Sequence, residues 1–214
     1  MRFRGITTRE ALLIEGPAGW GEFAPFLEYG PAESAAWLRA GLEAAYEGFP
    51  EPVRDSIEVN ATIPAVPASE VPAVVERYPG CRTFKIKVAE KGHTLADDAA
   101  RVRAVRDAVT QRGDIPILRV DANGGWSVDE AVEAAQMMMP LDYMEQPCAT
   151  TEELAQVRGR LMRAGLFVRV AADESIRKVA DPYRVAELQA ADVAVVKPAP
   201  VSYTHLTLPT TPYV

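Results

Sequence analysis

The sequence predicts an α/β protein, an incomplete (β/α) barrel of TIM type with about six βα units, preceded by a partial α+β capping domain. Three observations carry this expectation. Short β-rich runs centred near Asn60, Lys85, Arg119, Met144, Val170 and Val195 recur at about the length of one βα unit. Amphipathic helical stretches lie between them. From the second run onward, each strand end carries an ionisable side chain, as barrels do when they place chemistry on the carboxyl ends of many strands. A doubly wound dinucleotide-binding sheet would instead show G-x-G-x-x-G after its first strand, whereas the adjacent pair Gly124-Gly125 follows the third.

The elements follow in order. Residues 1–52 read as the capping piece: an extended stretch from Ile6 to Glu15, a turn at Gly16-Pro17, a second stretch from Gly19 to Phe26, and a helix from Ala32 to Tyr46. Pro50 and Pro52 then punctuate the chain as linkers do. Residues 53–200 read as the barrel. Leu95 to Val109 carries Val102, Val105 and Val109 at helical spacing, and Val128 to Met138 follows Ser127 as N-cap with Glu130 three residues on. Alternating units of this kind imply parallel strands joined by right-handed crossovers. A closed barrel needs eight units in about 250 residues, so the pattern stops early. Residues 201–214 are expected to be a non-native tail: all 30 acidic and 23 basic side chains precede them, and Val201-Ser202-Tyr203-Thr204-His205-Leu206 resembles a reading frame of a sequencing adapter.

Composition narrows the function. A net charge of −7 over 214 residues repels phosphate backbones and anionic lipid, so neither nucleic acid nor membrane is an expected partner. No run of about 18 apolar residues is present, and the amino terminus lacks a signal-type apolar stretch. Cys81 and Cys148 are too few for a disulfide framework. A cytoplasmic protein acting on a small molecule is expected; its oligomeric state is left open.

The strand ends hold the candidate chemistry. Asp121, Glu145 and Asp173 close the third, fourth and fifth runs and would meet at a barrel mouth as hard oxygen ligands suited to Mg²⁺. A single strand-end acid is more often a helix cap; three on consecutive units favour the metal reading. Lys85 and Lys87 share one face of the second strand, and Lys197 on the sixth would oppose them across the mouth. A lysine base must lose about three pKa units, about 4 kcal/mol, and a second ammonium and a divalent cation push that way. Lys87, nearer the strand end, is the better base, with Lys85 as its electrostatic neighbour. Cations on either side of a metal suit abstraction of a proton α to a carboxylate. His93, Met137-Met138-Met139 and Gly124-Gly125 receive no catalytic role.

Lys85-x-Lys87, Asp121-Ala-Asn123, Glu145-Gln-Pro147, Asp173-Glu-Ser175 and Lys197-Pro198, in this order and spacing, resemble the muconate-lactonizing subgroup of the enolase superfamily. The resemblance implies Mg²⁺ on Asp121, Glu145 and Asp173, Lys87 as the proton carrier, Lys197 as the opposing cation, and Asn123 assisting from behind the metal or substrate carboxylate. Gly19 to Phe26 and Val59-Asn60-Ala61-Thr62 point within the subgroup to a hydro-lyase that dehydrates a succinyl-hydroxycyclohexadiene-carboxylate in menaquinone biosynthesis. A racemase of N-acylamino acids or an epimerase of dipeptides uses the same residues. The alternative of another class is a non-catalytic barrel fragment. A chain with six units is itself expected to be inactive.

Overall fold

The computed structural model describes residues 7–49, 51–178, 181–197 and 199. They form two compact units, one of residues up to 55 with 177–178, 196–197 and 199, the other of residues 56–176 and 181–195. The expected tail, 201–214, lies outside the described residues.

In the first unit β1 (Leu12–Gly16) and β2 (Gly19–Phe23) make an antiparallel hairpin, on which α1 (Pro31–Tyr46) packs. The approach is close because glycine faces glycine: a Cβ on Gly21 would collide with the Gly41 carbonyl of α1. Phe26, Tyr29 and Trp37 form an edge-to-face cluster, with centroids 5.5–6.0 Å apart, and the Arg9 guanidinium sits 4.1 Å from the Phe26 centroid. Phe26 is thus engaged within its own unit.

The second unit winds as the sequence pattern predicts. Its strands are β3 (Ala61–Ile63), β4 (Thr83–Lys87), β5 (Ile117–Asp121), β6 (Tyr143–Glu145), β7 (Arg169–Ala172) and β8 (Val193–Ala194). All neighbours pair in parallel, in chain order from β3 to β8. Between them run α2 (Val71–Val75), α3 (Leu95–Gln111), α4 (Val128–Met138), α5 (Thr151–Arg163) and α6 (Asp181–Glu187). The sixth run, expected around Val195, lies one residue earlier; the Val195 N–H still extends the ladder to the Ala172 carbonyl at 2.8 Å.

Local chemistry fixes where the helices start. Thr94, Ser127 and Thr150 cap α3, α4 and α5, each hydroxyl accepting from the N–H three residues on, while Asp97, Glu130 and Glu153 return the bond. The helices then bury Val102, Val105, Val109, Ala131, Ala135, Met138, Leu154, Val157 and Leu161 against one face of the sheet. That sheet face is Phe84, Ile86, Leu118, Val120, Met144, Val170 and Ala172, all at 2% exposure or less. With a period of two, the intervening residues occupy the other face, and among them are Lys85, Lys87, Arg119, Asp121 and Glu145.

Candidate active site

Register alone assembles two rows on that second face. In the upper row Lys87 pairs with Asp121, and Asp121 with Glu145; two residues lower, Lys85 pairs with Arg119 and Arg119 with Tyr143. The cap explanation for Asp121 fails, since α4 starts on Ser127. Asp121 instead ends β5 and, like Glu145, is 1% exposed. Two adjacent buried carboxylates are costly unless positive charge meets them.

Two lysines supply it. Lys85 Nζ lies 2.8 Å from Glu145 Oε1 and 3.3 Å from Asp121 Oδ2. Lys87 Nζ donates to the same Asp121 Oδ2 at 2.5 Å and to Asn123 Oδ1 at 2.8 Å. Burial, the largest influence on Lys85, would lower its pKa, but the hydrogen bond and charge of Glu145, followed by those of Asp121, outweigh it and raise the pKa. The nearest charges to Lys85 are carboxylates, and it is a fixed cation. Glu145 is pushed above the usual carboxylate range by burial first and by the charge of Asp121 next; Lys85 opposes this, and Asp173 adds a smaller push.

Asp173 follows β7 directly, and its position is set by Gln146, which is fully buried. Gln146 Oε1 accepts from the N–H groups of Asp173 and Ser175 at 3.0 and 3.1 Å, while its Nε2 donates to the Cys148 carbonyl and to Ser175 Oγ. Among the described residues, however, no three His, Cys, Asp or Glu side chains lie together closely enough to hold a metal ion. The expected trio is therefore not closed: Asp121 and Glu145 are brought together around Lys85, and Asp173 does not complete the group. The two ammonium groups already meet the first pair, and Asp173 is held through its backbone.

The donor set nevertheless suits a hard divalent cation. Two buried carboxylates stand side by side, the charge of Asp121 raising the cost of ionising Glu145, and such a cation takes few protein oxygens and keeps water for the rest. Lys197 is exposed, lies just past the sheet unit and groups with the first unit, so its expected place opposite Lys87 belongs to the proposal below.

The loops above the strands are tightly constrained. Ala89, Asn123 and Gln146, which follow β4, β5 and β6, hold φ of 58°, 46° and 39°, a region that non-glycine residues enter at a cost. Gly124, at φ 78°, passes 3.2 Å from the Ala149 Cα when given a Cβ, which is why the β5 loop carries glycine there.

Sequence reasoning passed over four residues. Gln146 lay inside the quoted Glu145-Gln-Pro147 run, but nothing in one sequence announces an amide that bonds the next strand's loop. Glu174 accepts from Asn123 Nδ2 at 3.0 Å. Arg101, 1% exposed in α3, donates to the Lys87 carbonyl at 3.0 Å, to the Val66 carbonyl and to Asp98. His93, given no role from sequence, meets the same guanidinium at 2.7 Å through Nδ1; because arginine only donates, Nδ1 accepts.

The comparisons agree with this architecture. The Enolase C-terminal domain-like family matches residues 68–202, and the Enolase N-terminal domain-like family matches residues 1–45. The o-succinylbenzoate synthase of Mycolicibacterium smegmatis is 58% identical over 204 residues, which are 94% of this chain and 60% of that protein. The L-Ala-D/L-Glu epimerase of Bacillus subtilis, solved as a substrate-liganded complex, superposes with a TM-score of 0.70 at 25% identity, covering 89% of this chain and 67% of that one. The o-succinylbenzoate synthase of Thermosynechococcus elongatus, complexed with Mg in its active site, shares the fold with a TM-score of 0.66 at 22% identity, over 92% of this chain and 71% of that one. The chain spans about 60% of the length of the curated relatives it matches. A strand order that follows the chain, acids and lysines aligned at the strand ends, and a family match over more than half the residues have one common explanation: the chain belongs to the enolase superfamily.

Proposed function

We propose that this chain is part of a Mg²⁺-dependent hydro-lyase, an o-succinylbenzoate synthase of menaquinone biosynthesis, acting in the cytoplasm on a small carboxylate. The supporting observation is the row of Lys87, Asp121 and Glu145 across three adjacent strands, with Lys85 between the two acids. In this reading residues 1–52 cap a barrel built from residues 53–200, and residues 201–214 add nothing to either.

Asp121, Glu145 and Asp173 would hold the cation, with Asn123 behind them. Bound there, it supplies positive charge opposite the negative charge that grows on the substrate carboxylate. The rest belongs to the chain. Lys87, as the free amine, takes the proton α to the carboxylate, and the C–H electron pair passes into an enediolate. The pair then returns to form the ring double bond and expels the β-hydroxyl. Lys87 gives its proton to that oxygen, water leaves, and the ring becomes aromatic. Lys197 stabilises the developing charge from the opposite side. Lys85 stays protonated and lowers the cost of negative charge beside Lys87.

The likeness to the epimerase favours a second reading, in which Lys87 and Lys197 exchange a proton across two faces of an amino-acid derivative. The chain lengthened to the size of its relatives separates the two in D₂O. Dehydration gives an aromatic absorbance at the rate of substrate loss, whereas epimerisation returns deuterated substrate of inverted configuration. Absence of both reactions from a folded, Mg²⁺-supplied protein refutes the enzyme reading. The 214-residue chain is expected to show neither.

A further inference from the structure

We propose that Glu174 is a positioning residue, which fixes the amide of Asn123 so that its oxygen holds the Lys87 ammonium. The inference rests on Lys87 as the proton carrier. Three contacts form one line: Glu174 Oε1 accepts from Asn123 Nδ2 at 3.0 Å, Asn123 Oδ1 accepts from Lys87 Nζ at 2.8 Å, and Lys87 Nζ also donates to Asp121 Oδ2 at 2.5 Å.

The two ends of this line determine how the amide sits. An ionised carboxylate only accepts and an ammonium only donates. Flipping the Asn123 amide would set its NH₂ against NH₃⁺ and its oxygen against the carboxylate, two repulsive contacts in place of two attractive ones. Asn123 is exposed, so no packing holds its side chain, and its backbone is in the left-handed region. The orientation comes from its neighbours. Its backbone N–H is bonded to Asp121 Oδ1 at 3.1 Å, and Glu174 anchors the NH₂ of the side chain, the end that Lys87 does not meet.

A second observation is independent of this line. Glu174 Oε2 is buried and has no hydrogen-bond partner among the described residues. Such an atom costs free energy, and a glutamate serving only to cap or solubilise its loop would turn that oxygen to solvent. The side chain is instead held where Oε1 meets Asn123. Glu174 thus acts on the chemistry through Asn123, linking the loop after β7 to the lysine of β4.

The test reads lysine reactivity in the 214-residue chain, using trace acetylation and mass spectrometry, with no turnover required. In Glu174→Leu the Lys87 to Lys85 labelling ratio rises about threefold, a fraction of one hydrogen bond, while Lys91 is unchanged. Glu174→Gln keeps a carbonyl acceptor for Asn123 Nδ2 and restores the ratio. An unmoved ratio in Glu174→Leu, failure of Glu174→Gln to restore it, or an equal rise at Lys91 overturns the proposal. If Glu174→Leu does not fold, Glu174→Ser, too short to reach Asn123, replaces it under the same criteria. If neither folds, Glu174 is a folding residue and the proposal falls. Should Lys87 not be the proton carrier, turnover in the lengthened enzyme survives Lys87→Ala whatever the ratio does, so the two failures are distinguishable.

Discussion

If Asp121 and Glu145 hold a divalent cation as proposed, Lys85 competes with it for the same oxygens. The ammonium lies within 3.3 Å of both Asp121 and Glu145, and each acid is 1% exposed. Removing one partner of a buried ion pair leaves the other charge uncompensated at about 3–5 kcal/mol, a figure reduced here because Lys85 is partly exposed and Lys87 remains on Asp121. Lys85→Ala is therefore expected to cost about 2 kcal/mol in metal-free buffer, read by chemical denaturation. Millimolar Mg²⁺ should restore more stability to this variant than to the parent, because it replaces a lost charge instead of displacing a bound one. Equal Mg²⁺ effects on both chains would refute a shared site. Asp121→Asn, in contrast, should weaken Mg²⁺ binding at least about tenfold by calorimetry, since it removes one ionised carboxylate of the proposed site. At this scale the sequence was readable where chemistry dictates residue type: acids and lysines at strand ends. It was silent about Gln146, Glu174 and Arg101, whose roles consist of contacts across 27 to 51 residues of chain or buried donation to backbone carbonyls.

Strands and helices were legible for a different reason, since period and cap chemistry are local. Ser127 with Glu130 marks the start of α4 in the sequence, and both bonds form. The boundary at β8 was less legible because its apolar run, Val193 to Val196, gives no internal sign of where pairing stops. Ser127→Ala should cost about 1 kcal/mol, and Ser127→Asp much less, by thermal or denaturant melts. A second tie between elements depends on pH. Asp142, before β6, is bonded to Arg119 of β5 at 2.8 Å and to Arg169 of β7. Burial, the largest influence, would raise its pKa, but the hydrogen bonds from Arg119 and Arg169 and their charges win, holding it below the ordinary 3.8. A pKa depressed on folding contributes stability above the unfolded value and loses it as pH falls through the folded one. Asp142→Asn should thus be less stable than the parent by about 1 kcal/mol at neutral pH, with a gap that narrows only below about pH 4. A gap that persists unchanged at pH 2 would assign the loss to packing.

Over the whole molecule, each unit leaves surface that its own residues do not cover. Among the described residues β3 and β8 are each paired on one side only, so two rows of backbone donors and acceptors are open. Apolar side chains add to this: Leu13, Trp20 and Phe49 border a hollow in the first unit at 61–69% exposure, while Met162 and Phe167 line another in the second at 70% and 92%. Open parallel edges and exposed aromatic surface both favour association with any chain that offers the same features. Net charge of −7 opposes association through repulsion that salt screens within about 10 Å at 0.1 M, whereas edge pairing and apolar burial are hardly screened. The 214-residue chain is therefore expected to sediment as a concentration-dependent mixture above the monomer mass, with association increasing between 0.02 and about 0.5 M salt. Placing a lysine at the exposed position of β8, as Ala194→Lys, should shift it toward monomer without loss of helical circular dichroism. A monomer at all salt concentrations would mean that the open edges are protected, and insensitivity to Ala194→Lys would move the contact to the exposed aromatic surface.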